Sequence, residues 1–114
     1  SMKRFDGDQQ ALYDHNFCLS NERTAKRSVA LARSLHSGVS MEVRTTEPGV
    51  QFYAAFKLSV PVPGIGGRKY GPFAGFCLET QIWPDAINHE GFPSAVVRPG
   101  EVLRQETDYI FSKS

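Results

Sequence analysis

Apolar and polar side chains alternate along much of this chain, with the period of two that is typical of β-strands. The alternation is clearest in residues 76–81, where Phe76 and Leu78 fall on one face and Glu79 and Gln81 on the other. Pro84 ends this segment, because proline has no N–H to donate to a neighbouring strand. The pattern therefore predicts a strand with one apolar face and one face that carries a carboxylate beside an amide.

Five further segments have the composition or alternation of strands. In residues 28–35, Val29, Leu31 and Leu35 share one face, and the short turn at residues 36–38 predicts an antiparallel hairpin with the next segment. Composition alone also permits a helix in residues 28–35, but the hairpin favours a strand. The segments are residues 13–19, 28–35, 39–46, 50–56 and 102–111.

Residues 57–72 show no regular spacing of apolar residues, and prolines and glycines are spread throughout them. The glycines at 64, 66 and 67 do not predict a phosphate-binding loop, since no helix-forming segment and no Lys-Ser/Thr pair follow them. We therefore expect a long loop here. Strands and turns account for the rest of the chain, so the predicted fold class is all-β and antiparallel, in one domain.

Charge and composition narrow the choice of partner. The formal net charge of +1 over 114 residues gives no reason to expect binding to nucleic acid or to a membrane surface, and no apolar run is long enough to cross a bilayer. A small neutral ligand and a cytoplasmic location are the expectations. Cys18 and Cys77 each lie in an apolar run and are predicted to be buried thiols. Ser1-Met2 is interpreted as the remnant of a removed purification tag.

A carboxylate, an amide and an indole come together at the end of the strand in residues 76–83. Glu79, Gln81 and Trp83 occupy alternate positions, so their side chains share one face of a strand. These three kinds of group on one face are typical of a site that holds a hydroxylated ring. From pattern alone, Glu79 is more often a solvated residue on an open face, and Trp83 is as often part of a core. If the site interpretation holds, we expect Glu79 to be partly buried beside Cys77 and Trp83.

Residues 75–88, followed by Phe92-Pro93 and residues 98–101, resemble the C-terminal signature of the aldose 1-epimerases, the galactose mutarotases. The resemblance implies an antiparallel β-sandwich, the galactose mutarotase-like supersandwich. Family members are several-fold longer, so residues 1–114 are predicted to be a C-terminal fragment of that domain. Six or seven strands are too few to close two packed sheets, and we expect self-association through exposed strand edges.

Three site residues follow from the resemblance. Glu79 matches the catalytic general base of the family, and Asp14 and Gln51 match residues that bind sugar hydroxyls. Without the resemblance, Asp14 would be interpreted as the cap of an Asx turn, and Gln51 as a solvated strand residue. The segment after Gln51 departs from the family, because Ala54-Ala55-Phe56 stands where Thr-Gly-Asn is common.

The reaction that the resemblance implies is the interconversion of the α and β anomers of an aldohexose. Glu79 would take the proton of the C1 hydroxyl while an acid protonates the ring oxygen. The family's acid is a histidine from an upstream segment, and none of His15, His36 and His89 lies in its motif. The reaction requires no metal and no cofactor.

Two other functions stay open at this point. A non-catalytic carbohydrate-binding β-sandwich would also place amide and aromatic side chains on a strand face. A glycoside hydrolase would need a second carboxylate about 5–9.5 Å from the first, and Asp85 is the nearest candidate in the sequence. Neither alternative accounts for the ordered match from Asp14 to Glu101.

Overall fold

A computed structural model of the chain describes residues 12–114, so the interpretation of Ser1-Met2 lies outside the described residues. These residues form six β-strands and two short 3-10 turns, Ile65–Gly67 and Ala86–Asn88, with no α-helix in the described range. The prediction of an all-β fold is confirmed. The strands are β1 (Asp14–Cys18), β2 (Arg27–Arg33), β3 (Val39–Thr45), β4 (Gly49–Tyr53), β5 (Cys77–Gln81) and β6 (Thr107–Lys113).

The strands form two three-stranded sheets, with the orders β1-β4-β5 and β2-β3-β6. In the second sheet, β2 and β3 pair antiparallel as the predicted hairpin, and β6 pairs antiparallel with the other side of β3. Gly38 closes the hairpin with a φ of 72°, a conformation that glycine adopts without steric cost. The last strand of the chain therefore becomes an edge strand of this sheet.

A β-bulge in β2 changes which side chains of this strand face inward. The register shifts between Ser28 and Ala30, so that Val29 and Ala30 are both half-buried. Leu31 is consequently exposed, and Leu35 lies beyond the strand and is 92% exposed. The predicted common face of Val29, Leu31 and Leu35 is wrong, because a bulge inserts one residue and reverses the alternation after it.

The chain divides into two compact units, which are described separately. The first comprises residues 12–15 together with Phe52–Cys77. Its rings form a cluster in which the centroid of Phe52 lies 5.5 Å from that of Tyr13 and 6.2 Å from that of Phe76. The long loop folds back on itself, since the amide of Gly64 donates to the carbonyl of Arg68 at 2.8 Å. The predicted loop is confirmed, apart from its single 3-10 turn.

The second unit comprises Asn16–Gln51 together with Leu78–Ser114. Val43 and Val50 are buried at its centre, and Thr45 and Glu47 are buried beside them. Strand β5 contacts β6 through two hydrogen bonds. The Thr80 and Thr107 hydroxyls are 2.7 Å apart, and the Tyr109 hydroxyl donates to the Leu78 carbonyl at 2.9 Å. The face of β5 that carries Thr80 is therefore the one that packs, which leaves Glu79 and Gln81 on the opposite face.

Cys18 and Cys77 are both exposed free thiols, so the prediction that they are buried is wrong. An apolar run indicates which face of a strand a side chain takes, but it does not indicate whether another element covers that face. Among residues 12–114, no helix combines the length and apolar character that crossing a bilayer would require.

Candidate functional site

Glu79 lies at the middle of β5, on the face opposite to Thr80. The side chain is exposed, so the expected partial burial beside Cys77 and Trp83 is wrong. Its carboxylate has no hydrogen-bond or ion-pair partner among the side chains of residues 12–114. A carboxylate that is not committed to an internal partner can accept a proton from a bound ligand, which is the first requirement of a general base.

Gln81 connects the strand of Glu79 to Gln51. Its side-chain Nε2 donates to Oε1 of Gln51 at 3.2 Å and to Oδ1 of Asn16 at 3.1 Å. Because Glu79 and Gln81 are two residues apart on one strand, their side chains share a face. The structure therefore groups Gln51, which the sequence predicted as a site residue, with the strand that carries Glu79. Gln81 is the amide that the sequence placed beside Glu79, and Asn16 is an additional member of the group that had not been assigned a role.

Gly49 permits the close packing behind this group. A Cβ atom at position 49 would lie 2.7 Å from Oδ1 of Asn16 and 3.1 Å from both the Gln81 carbonyl oxygen and Cδ1 of Trp83. Real Cβ atoms essentially never make contacts under 3.0 Å, so any other residue at position 49 would force these neighbouring groups to shift. This explains why a glycine precedes Gln51 by two residues, a position that the sequence predicted only as part of a turn.

Hydrogen bonds from two other parts of the chain fix the turn between β3 and β4. The carbonyl of Pro48 accepts hydrogen bonds from the indole Nε1 of Trp83 at 2.9 Å and from the backbone amide of Leu19 at 2.8 Å. The Trp83 ring also packs edge-on against Phe92, with centroids 5.1 Å apart. The indole N–H is thus used to anchor the turn, which favours the core alternative for Trp83 over a direct contact with a ligand.

Glu47 is a buried carboxylate in the same turn, with only 1% of its side chain exposed. Nε of Arg23 lies 2.9 Å from one of its oxygens, and Nε2 of Gln105 donates to the other at 2.7 Å. Arg27 donates to the Glu47 carbonyl at 2.8 Å. The carboxylate is fully paired, as a buried charge must be, and its role is to fix the start of β4. The Glu47-Pro48-Gly49 motif had indicated a turn, but nothing in it indicated a buried ion pair.

Asp14 is an exposed residue at the start of β1 and belongs to the first unit. It lies in a strand rather than in a turn, so the alternative interpretation as an Asx-turn cap is not supported. Its backbone amide donates to Nδ1 of His15 at 3.0 Å. His89 lies 3.1 Å from Oδ2 of Asp85 and stacks on Phe92, so both members of this pair are occupied locally.

An open cavity of about 530 Å³ lies within the second unit beside Trp83. Apolar side chains of Ile82, Trp83 and Leu103 line it together with the polar groups of Arg23 and Gln105. Glu79 does not line this cavity but lies on the open face of β5. Within residues 12–114, no group of three His, Cys, Asp or Glu side chains is arranged to hold a metal ion.

The site thus combines the Glu79 carboxylate and the Gln81 carboxamide on β5 with the Gln51 carboxamide on the neighbouring β4, in an all-β fold. A family model described as aldose 1-epimerase matches residues 2–110, and the chain belongs to that family. The resemblance noted in the sequence is thereby confirmed. The family is a family of isomerases.

Individual relatives agree with this assignment. The chain is 46% identical to a galactose mutarotase of Rattus norvegicus over 100 residues, which are 88% of this chain and 29% of that protein. It is 45% identical to a galactose mutarotase of Homo sapiens over the same shares of both chains. It is 34% identical to an aldose 1-epimerase of Escherichia coli (strain K12) over 110 residues, or 93% of this chain and 32% of the relative. The chain thus spans less than a third of the length of these relatives.

Proposed function

We propose that the complete protein is an aldose 1-epimerase, a mutarotase that interconverts the α and β anomers of hexoses such as galactose and glucose. The observation that carries the proposal is the Glu79 carboxylate, which has no hydrogen-bond or ion-pair partner among residues 12–114 and lies on the face of β5 from which Gln81 reaches Gln51. A base and hydrogen-bonding amides on one face suit a hydroxyl-rich ring. Relatives named galactose mutarotase and aldose 1-epimerase support the same activity.

In the proposed mechanism, Glu79 takes the proton from the C1 hydroxyl of the pyranose while an acid protonates the ring oxygen. The C1–O5 bond breaks, the C1–C2 bond rotates, and ring closure from the other face of the aldehyde gives the other anomer. Reversal of the two proton transfers restores Glu79 and the acid. Asp14 and Gln51 bind sugar hydroxyls, and a histidine outside this chain supplies the acid.

Further proposals concern the context of the chain. We interpret residues 1–114 as the C-terminal part of a larger β-sandwich, because the curated relatives are about three times as long. The cytoplasm is the proposed location, and the two exposed free thiols support it, since such thiols persist in a reducing compartment. Self-association of the isolated chain is proposed because Leu31, Ile110 and Phe111 expose apolar surface on the edge strands β2 and β6.

Polarimetry of freshly dissolved α-galactose with the complete protein tests the proposed activity. Glu79→Gln keeps the shape of the side chain and removes the base, so we expect kcat to fall by at least about 10²-fold. Glu90→Gln is the matched control, because Glu90 is an exposed residue in a loop of the same unit. A Glu79→Gln variant with the wild-type rate would exclude Glu79 as the base.

Two outcomes would favour the alternative functions. Sugar binding by calorimetry without any acceleration of mutarotation would favour a carbohydrate-binding sandwich. Release of an aryl leaving group from an aryl galactoside would favour a glycoside hydrolase. The Asp85 carboxylate already forms hydrogen bonds with Asn88 and His89, which argues against its use as a second catalytic carboxylate.

A further inference from the structure

We propose that Thr107 and Tyr109 of β6 are positioning residues for Glu79, because their hydroxyl groups hold the backbone of β5 immediately before and after it. The inference rests on the proposed function, since it takes Glu79 as the general base. It adds two residues of a different strand, which act on the reaction through β5.

The position of the Glu79 carboxylate depends on the backbone of β5. The carboxylate has no hydrogen-bond or ion-pair partner among the side chains of residues 12–114, so no neighbouring side chain fixes it. In the same range, β5 lies at the end of its three-stranded sheet, with β4 as its only paired strand. Segments with few contacts are the ones that open most readily. Contacts on the face opposite to Glu79 therefore affect where the base lies.

Two hydrogen bonds from β6 supply such contacts, one on each side of Glu79 in the chain. The Tyr109 hydroxyl donates to the carbonyl of Leu78 at 2.9 Å. The hydroxyl oxygens of Thr80 and Thr107 are 2.7 Å apart. Because Thr107 and Tyr109 are two residues apart on β6, their side chains share a face. One face of β6 thus restrains the residue before the base and the residue after it.

Thr107 is itself fixed, because its hydroxyl is bonded to the buried Thr45. Thr45 has an exposure of 0% and lies opposite Thr107 in the pairing of β3 with β6, with the two hydroxyl oxygens 3.0 Å apart. The Thr45 hydroxyl donates to the carbonyl of Glu106 at 3.0 Å, since a carbonyl oxygen can only accept. Its single proton is then used. Thr107 must therefore donate to Thr45, and Thr80 must donate to Thr107.

The Thr45 hydroxyl has no bonding capacity left. Its oxygen also accepts a hydrogen bond from the backbone amide of Glu47 at 3.1 Å. One proton is donated and both lone pairs are occupied, which is the full capacity of a hydroxyl. The series of hydroxyls therefore runs in one direction, from Thr80 on β5 to the buried centre of the second unit. A substitution of Thr80 that keeps the donor should keep the restraint on β5.

Tyr109→Phe and Thr80→Val in the complete protein test the inference, because each removes one hydroxyl and keeps the shape of the side chain. We expect each to lower kcat for galactose about 3- to 100-fold, since misplacing a reacting group by about 1 Å can cost about 100-fold. KM should change by less than about twofold, because only the proton transfer of the transition state is affected. When Glu79 is already Gln, the same substitutions should change the residual rate by less than about twofold, since the group they position is gone.

Thr80→Ser and Thr24→Val are the matched controls. Serine keeps the hydroxyl that donates to Thr107, so Thr80→Ser should keep kcat within about threefold of the wild-type value. Thr24 is exposed, and its hydroxyl donates to the adjacent carbonyl of Ala25 at 2.9 Å. Thr24→Val therefore removes a hydroxyl without releasing β5, and we expect the wild-type kcat. Equal kcat losses in Thr24→Val and Thr80→Val would overturn the positioning role.

Hydrogen exchange gives a readout that does not depend on turnover. The backbone amides of residues 78–80 should exchange faster in Tyr109→Phe and at the wild-type rate in Thr24→Val. Unchanged kcat in both Tyr109→Phe and Thr80→Val, or a kcat loss of full size without Glu79, would overturn the positioning role while leaving the mutarotase assignment intact. A complete wild-type protein that does not accelerate mutarotation would overturn the proposed function and this inference with it.

Discussion

Gly49 and Asn16 approach each other so closely that a single methyl group at position 49 would lie 2.7 Å from Oδ1 of Asn16. The contact links the strand that carries Gln51 to the strand that carries Asn16, directly behind the amide group of Gln81. The sequence indicates Gly49 only as a turn residue. In the structure, its lack of a side chain is what allows Asn16, Gln81 and Trp83 to pack around it.

Replacement of that glycine should therefore disturb both stability and sugar binding. For Gly49→Ala we expect a loss of about 1–3 kcal/mol, the usual cost of overpacking, because Asn16, Trp83 and the β5 backbone would have to move. KM for the sugar should rise as well. Urea unfolding and polarimetry measure the two effects. Gly91→Ala is the control, since a Cβ there meets nothing within 4 Å, and equal losses in both variants would contradict the explanation.

The buried ion pair of Glu47 and Arg23 should respond asymmetrically to substitution. Arg23→Met leaves a carboxylate that is 1% exposed without its charge partner, so we expect a loss of about 3–5 kcal/mol. Glu47→Gln leaves Arg23, which is 30% exposed and can be hydrated, so its cost should be smaller, about 1.5–3 kcal/mol. Denaturant midpoints measure both. The reverse order would mean that the burial of Glu47 does not determine the cost.

Asp14 and Glu79 should differ in kinetic effect if one binds sugar and the other moves a proton. For Asp14→Asn we expect a rise in KM, together with a smaller fall in kcat than Glu79→Gln produces. A hydrogen bond to a charged partner is worth about 1.5–3 kcal/mol, or roughly 10- to 150-fold. Steady-state polarimetry over a range of galactose concentrations separates the two parameters. A larger kcat loss for Asp14→Asn would reassign the catalytic base.

Ala55 has a φ of 54°. It is the position that the resemblance matches to the glycine of the Thr-Gly-Asn segment. An L-residue pays about 1–2 kcal/mol in this left-handed region, and glycine does not. Ala54, the preceding residue, is not in that region. We therefore expect Ala55→Gly to be more stable than Ala54→Gly by about 1–2 kcal/mol in thermal or urea unfolding. Equal stability of the two variants would show that Ala55 is not strained.

The 114-residue chain by itself should turn over sugar slowly or not at all, because it lacks the proposed histidine acid. We also expect dimers or larger assemblies, since unpaired strand edges and exposed apolar side chains invite pairing with another copy. Sedimentation at several concentrations and polarimetry test both halves. A monodisperse monomer with a rate typical of longer family members would mean that a histidine of this chain supplies the acid.

The local alternation of side chains was sufficient to place β1 to β5 and to predict the faces of β5, whereas the predicted segment 102–111 overlaps β6 only from Thr107 onward. The strand segments predicted from residues 13–19, 28–35, 39–46 and 50–56 correspond to β1 to β4, and Glu79 lies opposite Thr80 as expected. The position of a strand, and the face on which each of its side chains lies, depend on neighbouring residues in the chain. A single sequence therefore contains that information. The motifs that resemble the family are also the basis on which Glu79, Asp14 and Gln51 are proposed as site residues, without any reference to three-dimensional contacts.

Contacts between residues distant in the chain were decided only by the tertiary structure. The bulge that turns Leu31 outward depends on the pairing of β2 with β3, and the exposure of Cys18 and Cys77 depends on which faces other elements cover. The burial of Glu47 requires Arg23 and Gln105, which lie 24 and 58 residues away in the chain. Gln81 reaches Asn16 across 65 residues and Gln51 across 30. A local sequence pattern does not show which distant residues will be in contact, because burial and hydrogen bonding depend on the elements that pack together in the folded chain.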